Sequence, residues 1–242
     1  MLSGLAMDGI IHTTHQQLYD LYEANRPLYN GHFDSRLRRA LSWLKRAEQE
    51  TADPDAAFIF YWISFNAGYS PKLNDSETTS EAQKAEYFFQ MIAEQDSEKI
   101  IYQLVWERFS QEIRSLLDDE FIYAPFWKYE APLHERDWES SFRKEKIFAA
   151  KCLKYQNTAA ILALLFRRLY VLRNQLMHGS ATWQGDRNRQ QVRDGQRVIE
   201  RLQPAFLRIM LTNHRENWGE ISYDLFIGNV GDYKAQLPPD KK

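Results

Sequence analysis

The stretch whose residue types and spacing best suit chemistry is Arg173-Asn174-Gln175-Leu176-Met177-His178-Gly179. His178 carries the side chain that takes and gives a proton near neutral pH. Arg173 is permanently cationic and presents a planar fork suited to a phosphate. Asn174 has an amide that can bond a phosphate or orient the imidazole. An Arg beside a His suffices for phosphoryl chemistry without a metal, the His moving protons and the Arg stabilising charge that builds on phosphorus. The spacing poses a difficulty, because positions five apart on a regular helix point about 140° apart. Arg173 and His178 of one chain converge poorly unless Gly179 distorts the last turn. The competing reading stays open: Arg173 caps carbonyls and His178-Gly179 is only a helix stop.

A second candidate lies downstream. Arg189, Arg193, Arg197 and Arg201 recur every four residues and form one slowly drifting stripe on a helix. A row of guanidiniums next to the His can hold an RNA backbone. The alternative is a solvated face paired with Asp194 and Glu200. Other candidates are weaker. His12 and His15 share a helix face, but no carboxylate or Cys cluster accompanies them, so no metal is expected. Asp118-Asp119-Glu120 reads as a solvated helix end. Tyr61, Trp62, Phe65 and Tyr69 can stack bases but fall in a helix apolar nearly all round, which makes them core. Cys152 as a nucleophile has no support beyond its presence.

The elements that must position these residues are helical. Gly and Pro number only 10 and 8 in 242 residues, and Leu, Ala, Glu, Arg and Gln fill the segments between them. The expected helices are Thr14 to Glu23, Asp34 (as N-cap) to about Ala47, Pro54 to Tyr69, Glu81 to Asp118 with a break at Gln95-Asp96, Glu139 to Cys152, Thr158 to Met177 and, after a loop at Ser180 to Asp186, a last one running to about Asn213. Gly179 fits the position that ends a helix. Residues 70–80, 123–138 and 214–242 read as irregular, the last partly mobile. With no repeat and no long linker, the expectation is one all-α domain over residues 1–242. Its core spans about 34–213, an antiparallel helical bundle with additional N-terminal helices.

Composition narrows function further. Lys and Arg total 31 against 33 Asp and Glu, a net charge of −2, so a polybasic nucleic-acid binder is excluded and any RNA contact must be local. A single Cys excludes an intrachain disulfide and a multi-thiolate metal centre. The N-terminus lacks the basic and long apolar regions of a signal peptide. The most apolar run, Ala159 to Phe166, is less than half the roughly 20 residues that span a bilayer. The expectation is a cytoplasmic protein with no membrane contact.

The Arg-Asn-x3-His pattern resembles the signature of the HEPN superfamily. Two further segments strengthen the resemblance: Tyr61-Trp62-Ile63-Ser64-Phe65-Asn66-Ala67, and the run Gly179-Ser180-Ala181-Thr182-Trp183 with Asn188-Arg189-Gln190 and Val192-Arg193-Asp194-Gly195. It covers about Leu37 to Met210. The resemblance implies a HEPN-type bundle and a metal-independent endoribonuclease, in a toxin or antiphage role. Arg173, His178 and the polar-slot Asn174 would be its catalytic residues, at a site shared by two chains of a homodimer. It implies RNA as substrate, no cofactor, and an antitoxin or regulatory protein as a further partner. The family's modified Tyr, two residues after the His, is Ser180 here, so a partner acting on that Tyr is not expected. The alternative is a non-catalytic HEPN module that binds RNA, a nucleotide or a protein.

Overall fold

The computed structural model describes residues 13–69, 81–127, 138–183, 185 and 188–219, and all regular structure among them is helical. The α-helices are α1 (His15–Asn25), α2 (Gly31–Glu48), α3 (Pro54–Tyr69), α4 (Glu81–Gln95), α5 (Ile100–Gln103), α6 (Ser110–Asp118), α7 (Ala124–Trp127), α8 (Trp138–Lys154), α9 (Thr158–Met177) and α10 (Arg189–Thr212). A π turn, Leu104–Arg108, joins α5 to α6. His12 and the loop expected at 70–80 lie outside the described residues, as do most of the irregular 123–138 segment and the tail from 220.

Local chemistry explains most boundaries. Thr14 caps α1 through a reciprocal box with Gln17. Asp53 Oδ1 accepts from the backbone N–H groups of Asp55 and Ala56, and Pro54 follows at the first helical position. Asp96 stops α4 and caps α5, its two oxygens accepting from Ile100 N–H at 2.8 Å and Tyr102 N–H at 3.0 Å. The start of α2 differs from expectation. Asn30, not Asp34, is its cap, accepting from Phe33 N–H at 2.8 Å. Asp34 sits a turn inside and accepts instead from the Tyr22 hydroxyl at 2.6 Å, which ties α1 to α2.

The four long helices that carry the candidate site pack around Phe58, Phe65, Phe89, Phe166 and Phe206, all buried. α2 runs antiparallel to α3: Ser64 Oγ donates to Ala40 C=O, and Arg46 covers the Phe60 ring. α3 runs antiparallel to α9, with Phe65 on Phe166 and Trp62 on Tyr170. α9 and α10 are antiparallel again, joined by Phe166–Phe206 and by Asn188–Gln175. α3 and α10 are therefore parallel, matched by Asp55–Arg189 at one end and Ser64–Gln203 further along. Small residues let them approach. A Cβ on Gly195 would lie 3.0 Å from Leu172, 3.1 Å from Leu169 and 3.3 Å from Phe58, and one on Gly68 would lie 3.4 Å from Leu207.

The described start of the segment after α10, residues 213–219, has no regular structure, as expected, yet it is pinned to the core. Trp218 is buried against Phe88. The fully buried Arg36 guanidinium donates to Gly68 C=O at 3.2 Å, Trp218 C=O at 2.5 Å and Gly219 C=O at 2.9 Å. Burial pulls its pKa down to about 10, so it stays charged at neutral pH. No helix among the described residues is long and apolar enough to cross a membrane.

Candidate functional site

The site residues sit where α9 leaves the core. Along α9, Ile161 through Phe166, Arg168, Leu169, Val171, Leu172 and Gln175 are buried. The helix then emerges, and Met177, His178 and Gly179 are exposed. Gly179 takes the left-handed conformation, φ +70°. Its N–H bonds Leu176 C=O at 3.4 Å while Ser180 N–H bonds Gln175 C=O at 2.9 Å. That pair of bonds is the Schellman stop, which needs a positive φ at the residue after the cap. His178 is the cap itself, its N–H bonded to Asn174 C=O at 2.9 Å.

Arg173 does not hydrogen-bond His178 within the chain. Its Nη1 donates to Asn174 Oδ1 at 2.8 Å, and the guanidinium carbon lies 5.9 Å from the Tyr170 ring centroid. The azimuth of this bond matters. Asn174 is about 100° round the helix from Arg173, and His178 only about 40° further. The Arg173–Asn174 bond turns the guanidinium in the rotational sense that leads to His178, whose position lies about 7.5 Å further along the axis. Arg173 has no carboxylate partner among the described residues, so its charge stays available to an anion.

The loop after His178 is braced from several directions. Gln175 is its hub: buried, it donates from Nε2 to Phe121 C=O at 2.7 Å and accepts at Oε1 from Asn188 Nδ2 at 2.8 Å. Asn188 stands at φ +61° just before α10, a conformation Asn tolerates better than most residues. Trp183 Nε1 donates to Asp53 Oδ2 at 2.7 Å. Desolvation pushes the Asp53 carboxyl up, but the bonds from Trp183, Ala56 and Asp55 together outweigh it and hold it below the usual range. Asp55, buried two residues on, binds Arg189 Nη1 at 2.6 Å.

The arginine stripe is thus divided. Arg189 is half-buried and spent on Asp55. Arg193 and Arg197 are exposed, and neither forms an ion pair among the described residues. Arg201 is half-buried and lies about 18 Å along the axis from Arg189. Asp194 is buried and accepts from Gln190, and Glu200 accepts from Gln196; among the described residues Arg193 and Arg197 form no ion pair with either. The acidic triplet is also more than a solvated end, because Asp119 caps the next turn at Phe121 N–H and accepts from Gln191 of α10. Tyr61, Trp62 and Phe65 are core, and Cys152 is buried with its thiol pKa pushed up by desolvation. The ring of His15 stacks on Tyr19, with burial lowering its pKa first.

An open groove of about 420 Å³ lies between α4, α8 and the start of α9, lined by Glu86, Gln90, Phe148, Asn157, Ala163 and Arg167. It is separate from His178, which is about 22 Å from Ala163 along the helix. Sequence reasoning missed Gln175, Asp53, Asp55 and the bracing role of Trp183. One signal was present: Asp53 and Asp55 lead into a nearly all-apolar run, and a charge buried there demands a partner. No family model, curated protein or solved structure matches the chain.

Proposed function

We propose that this chain is a HEPN-type, metal-independent endoribonuclease whose catalytic residues are Arg173 and His178, with Asn174 as the residue that aims the Arg. The observation that supports this reading is the Arg173–Asn174 bond, which turns a guanidinium with no carboxylate partner among the described residues in the sense that leads to the exposed His178 at the helix end. In the reaction, the 2′-hydroxyl oxygen attacks phosphorus and the P–O5′ bond breaks. One imidazole takes the 2′-hydroxyl proton and a protonated one supplies a proton to the departing 5′-oxygen. A single chain presents one such His at this site, so a second copy facing it completes the acid–base pair. Arg173 stabilises the charge on the non-bridging oxygens. The exposed C-terminal end of α9, with Met177 56 % exposed beside His178, leaves room for that second chain. A toxin or antiphage role, and a protein that restrains it, belong to the same proposal.

The test is cleavage of RNA by purified protein in EDTA, with His178→Ala, Arg173→Ala and Asn174→Ala alongside. Wild type should leave 2′,3′-cyclic phosphate ends. His178→Ala should lose cleavage altogether, Arg173→Ala about 10²-fold or more, the scale of one charge-stabilising donor, and Asn174→Ala less. Full activity of folded His178→Ala removes the proposal. Binding of RNA without turnover by wild type selects the non-catalytic module instead.

A further inference from the structure

Trp183 is 66 % exposed, yet it is not loose. A large aromatic residue left this open usually hides at least one face. Here the polar edge of the indole is tied down, through Nε1 to Asp53 Oδ2 at 2.7 Å. Asp53 is itself fixed as the cap of α3 by the N–H groups of Asp55 and Ala56. Before it, the chain is held by Ser180 and Ala181 N–H on Gln175 C=O, and Arg189, six residues on, is held on Asp55. The result is a flat ring fixed at its edge and largely open to solvent.

Its neighbours decide what the ring meets. Trp183 follows His178 by five residues, so their Cα atoms are at most about 18 Å apart. The anchors of Trp183 and Arg189 are Asp53 and Asp55, two residues apart at one helix end. That places the indole at the end of α3 that meets the start of α10; Arg193 and Arg197, exposed and without an ion pair among the described residues, follow about 6 and 12 Å further along α10. The local chemistry is a fixed aromatic face, unpaired guanidiniums and a proton-transferring His. A guanidinium takes a phosphate, and an immobilised indole takes the π-face of a base. In a duplex that face is already stacked on its neighbours, so the ligand that fits is single-stranded.

We propose that Trp183 is a stacking platform for one unpaired nucleobase of single-stranded RNA bound across the His178 end of α9. This rests on the RNA reading above and adds to it the form of the substrate and a residue that selects it. Because every base has a π-face, the platform selects strandedness and not sequence.

The experiment measures binding on the full-length His178→Ala background. The probes are a labelled single-stranded RNA oligonucleotide and the same strand annealed in a duplex. Trp183→Ala should weaken single-strand binding by about 5- to 150-fold, the range of one base–aromatic stack. Trp183→Phe should recover most of that affinity and Trp183→Leu should not, with duplex affinity unchanged in all three. Circular dichroism and melting temperature check that each variant is folded. Equal single-strand affinity of folded Trp183→Ala and its parent overturns the proposal, as does failure of the parent to bind single-stranded RNA at low salt, and so does equal recovery by Leu. Failure of the catalytic reading looks different: wild type cleaves nothing in EDTA while the Trp183-dependent preference for single strands persists. If wild type cleaves and Trp183→Ala leaves both affinity and kcat/KM unchanged, the ribonuclease stands and the platform falls.

Discussion

Arg189→Ala separates a structural arginine from its recognition-grade neighbours. Asp55 is 7 % exposed and binds Arg189 at 2.6 Å, while its Oδ2 is already without a partner among the described residues. Removing the Arg leaves a buried carboxylate uncompensated, which costs about 3–5 kcal/mol for a fully enclosed pair. Two features reduce that figure. Asp55 lies in the first turn of α3, where the helix dipole returns up to about 1 kcal/mol. Arg189 keeps 18 % of its side-chain surface, so some water already reaches the pair. The expected loss is about 2–3 kcal/mol. At about 2–4 °C per kcal/mol for a chain of this length, the melting temperature should fall by roughly 4–12 °C. Thermal unfolding by calorimetry reads this directly. Arg193→Ala and Arg197→Ala should each stay within about 0.5 kcal/mol of wild type. The double variant with Asp55→Ala should show a coupling above about 1 kcal/mol. If Arg189→Ala melts beside Arg193→Ala, or the coupling is near zero, the division of the stripe is wrong.

Two further outcomes follow from the same geometry. Gly179→Ala should destabilise by about 1–2 kcal/mol through its left-handed backbone alone, since no heavy atom lies within 4 Å of the added Cβ; a urea midpoint equal to wild type would contradict the Schellman stop. Tyr22 is pushed up to about 12 by desolvation first and then by its bond to Asp34. Its protonated form is favoured by folding, so its contribution is intact below pH 10 and drains away as pH rises toward 12. Urea midpoints from pH 8 to 11.5 should therefore fall less steeply in Tyr22→Phe than in wild type, and parallel lines would refute the linkage.

Where local chemistry decides, the sequence was readable. Asp53-Pro54 announces α3, and Gly179 closes α9. The expectation slipped at Asp34, because Asn30 offers an equally good cap four residues earlier and the helix takes the first one available. The all-α class follows from a composition poor in Gly and Pro, and the burial of Phe58, Trp62 and Phe65 from a helix that is apolar nearly all round. The bracing of the candidate site does not. Trp183 to Asp53 spans 130 residues and Arg189 to Asp55 spans 134, and single tertiary bonds of that range leave no periodic trace. The Arg stripe shows the same limit: equal spacing gave four equivalent guanidiniums, but only the fold shows that Arg189 is consumed by Asp55 while Arg193 and Arg197 form no ion pair among the described residues.

The Arg36 anchor links the order of synthesis to stability. Two of its carbonyl acceptors, on Trp218 and Gly219, lie more than 180 residues downstream. On a ribosome, α2 and α3 emerge long before those carbonyls exist. Until they arrive, Arg36 lacks those two acceptors and the Trp218 segment that supplies them. The early hairpin then lacks this fastening, and nascent chains stopped short of residue 218 should be cut more readily by proteases. A single buried arginine thus works as a completion check, fastening the first helices only once the last part of the described chain has been made.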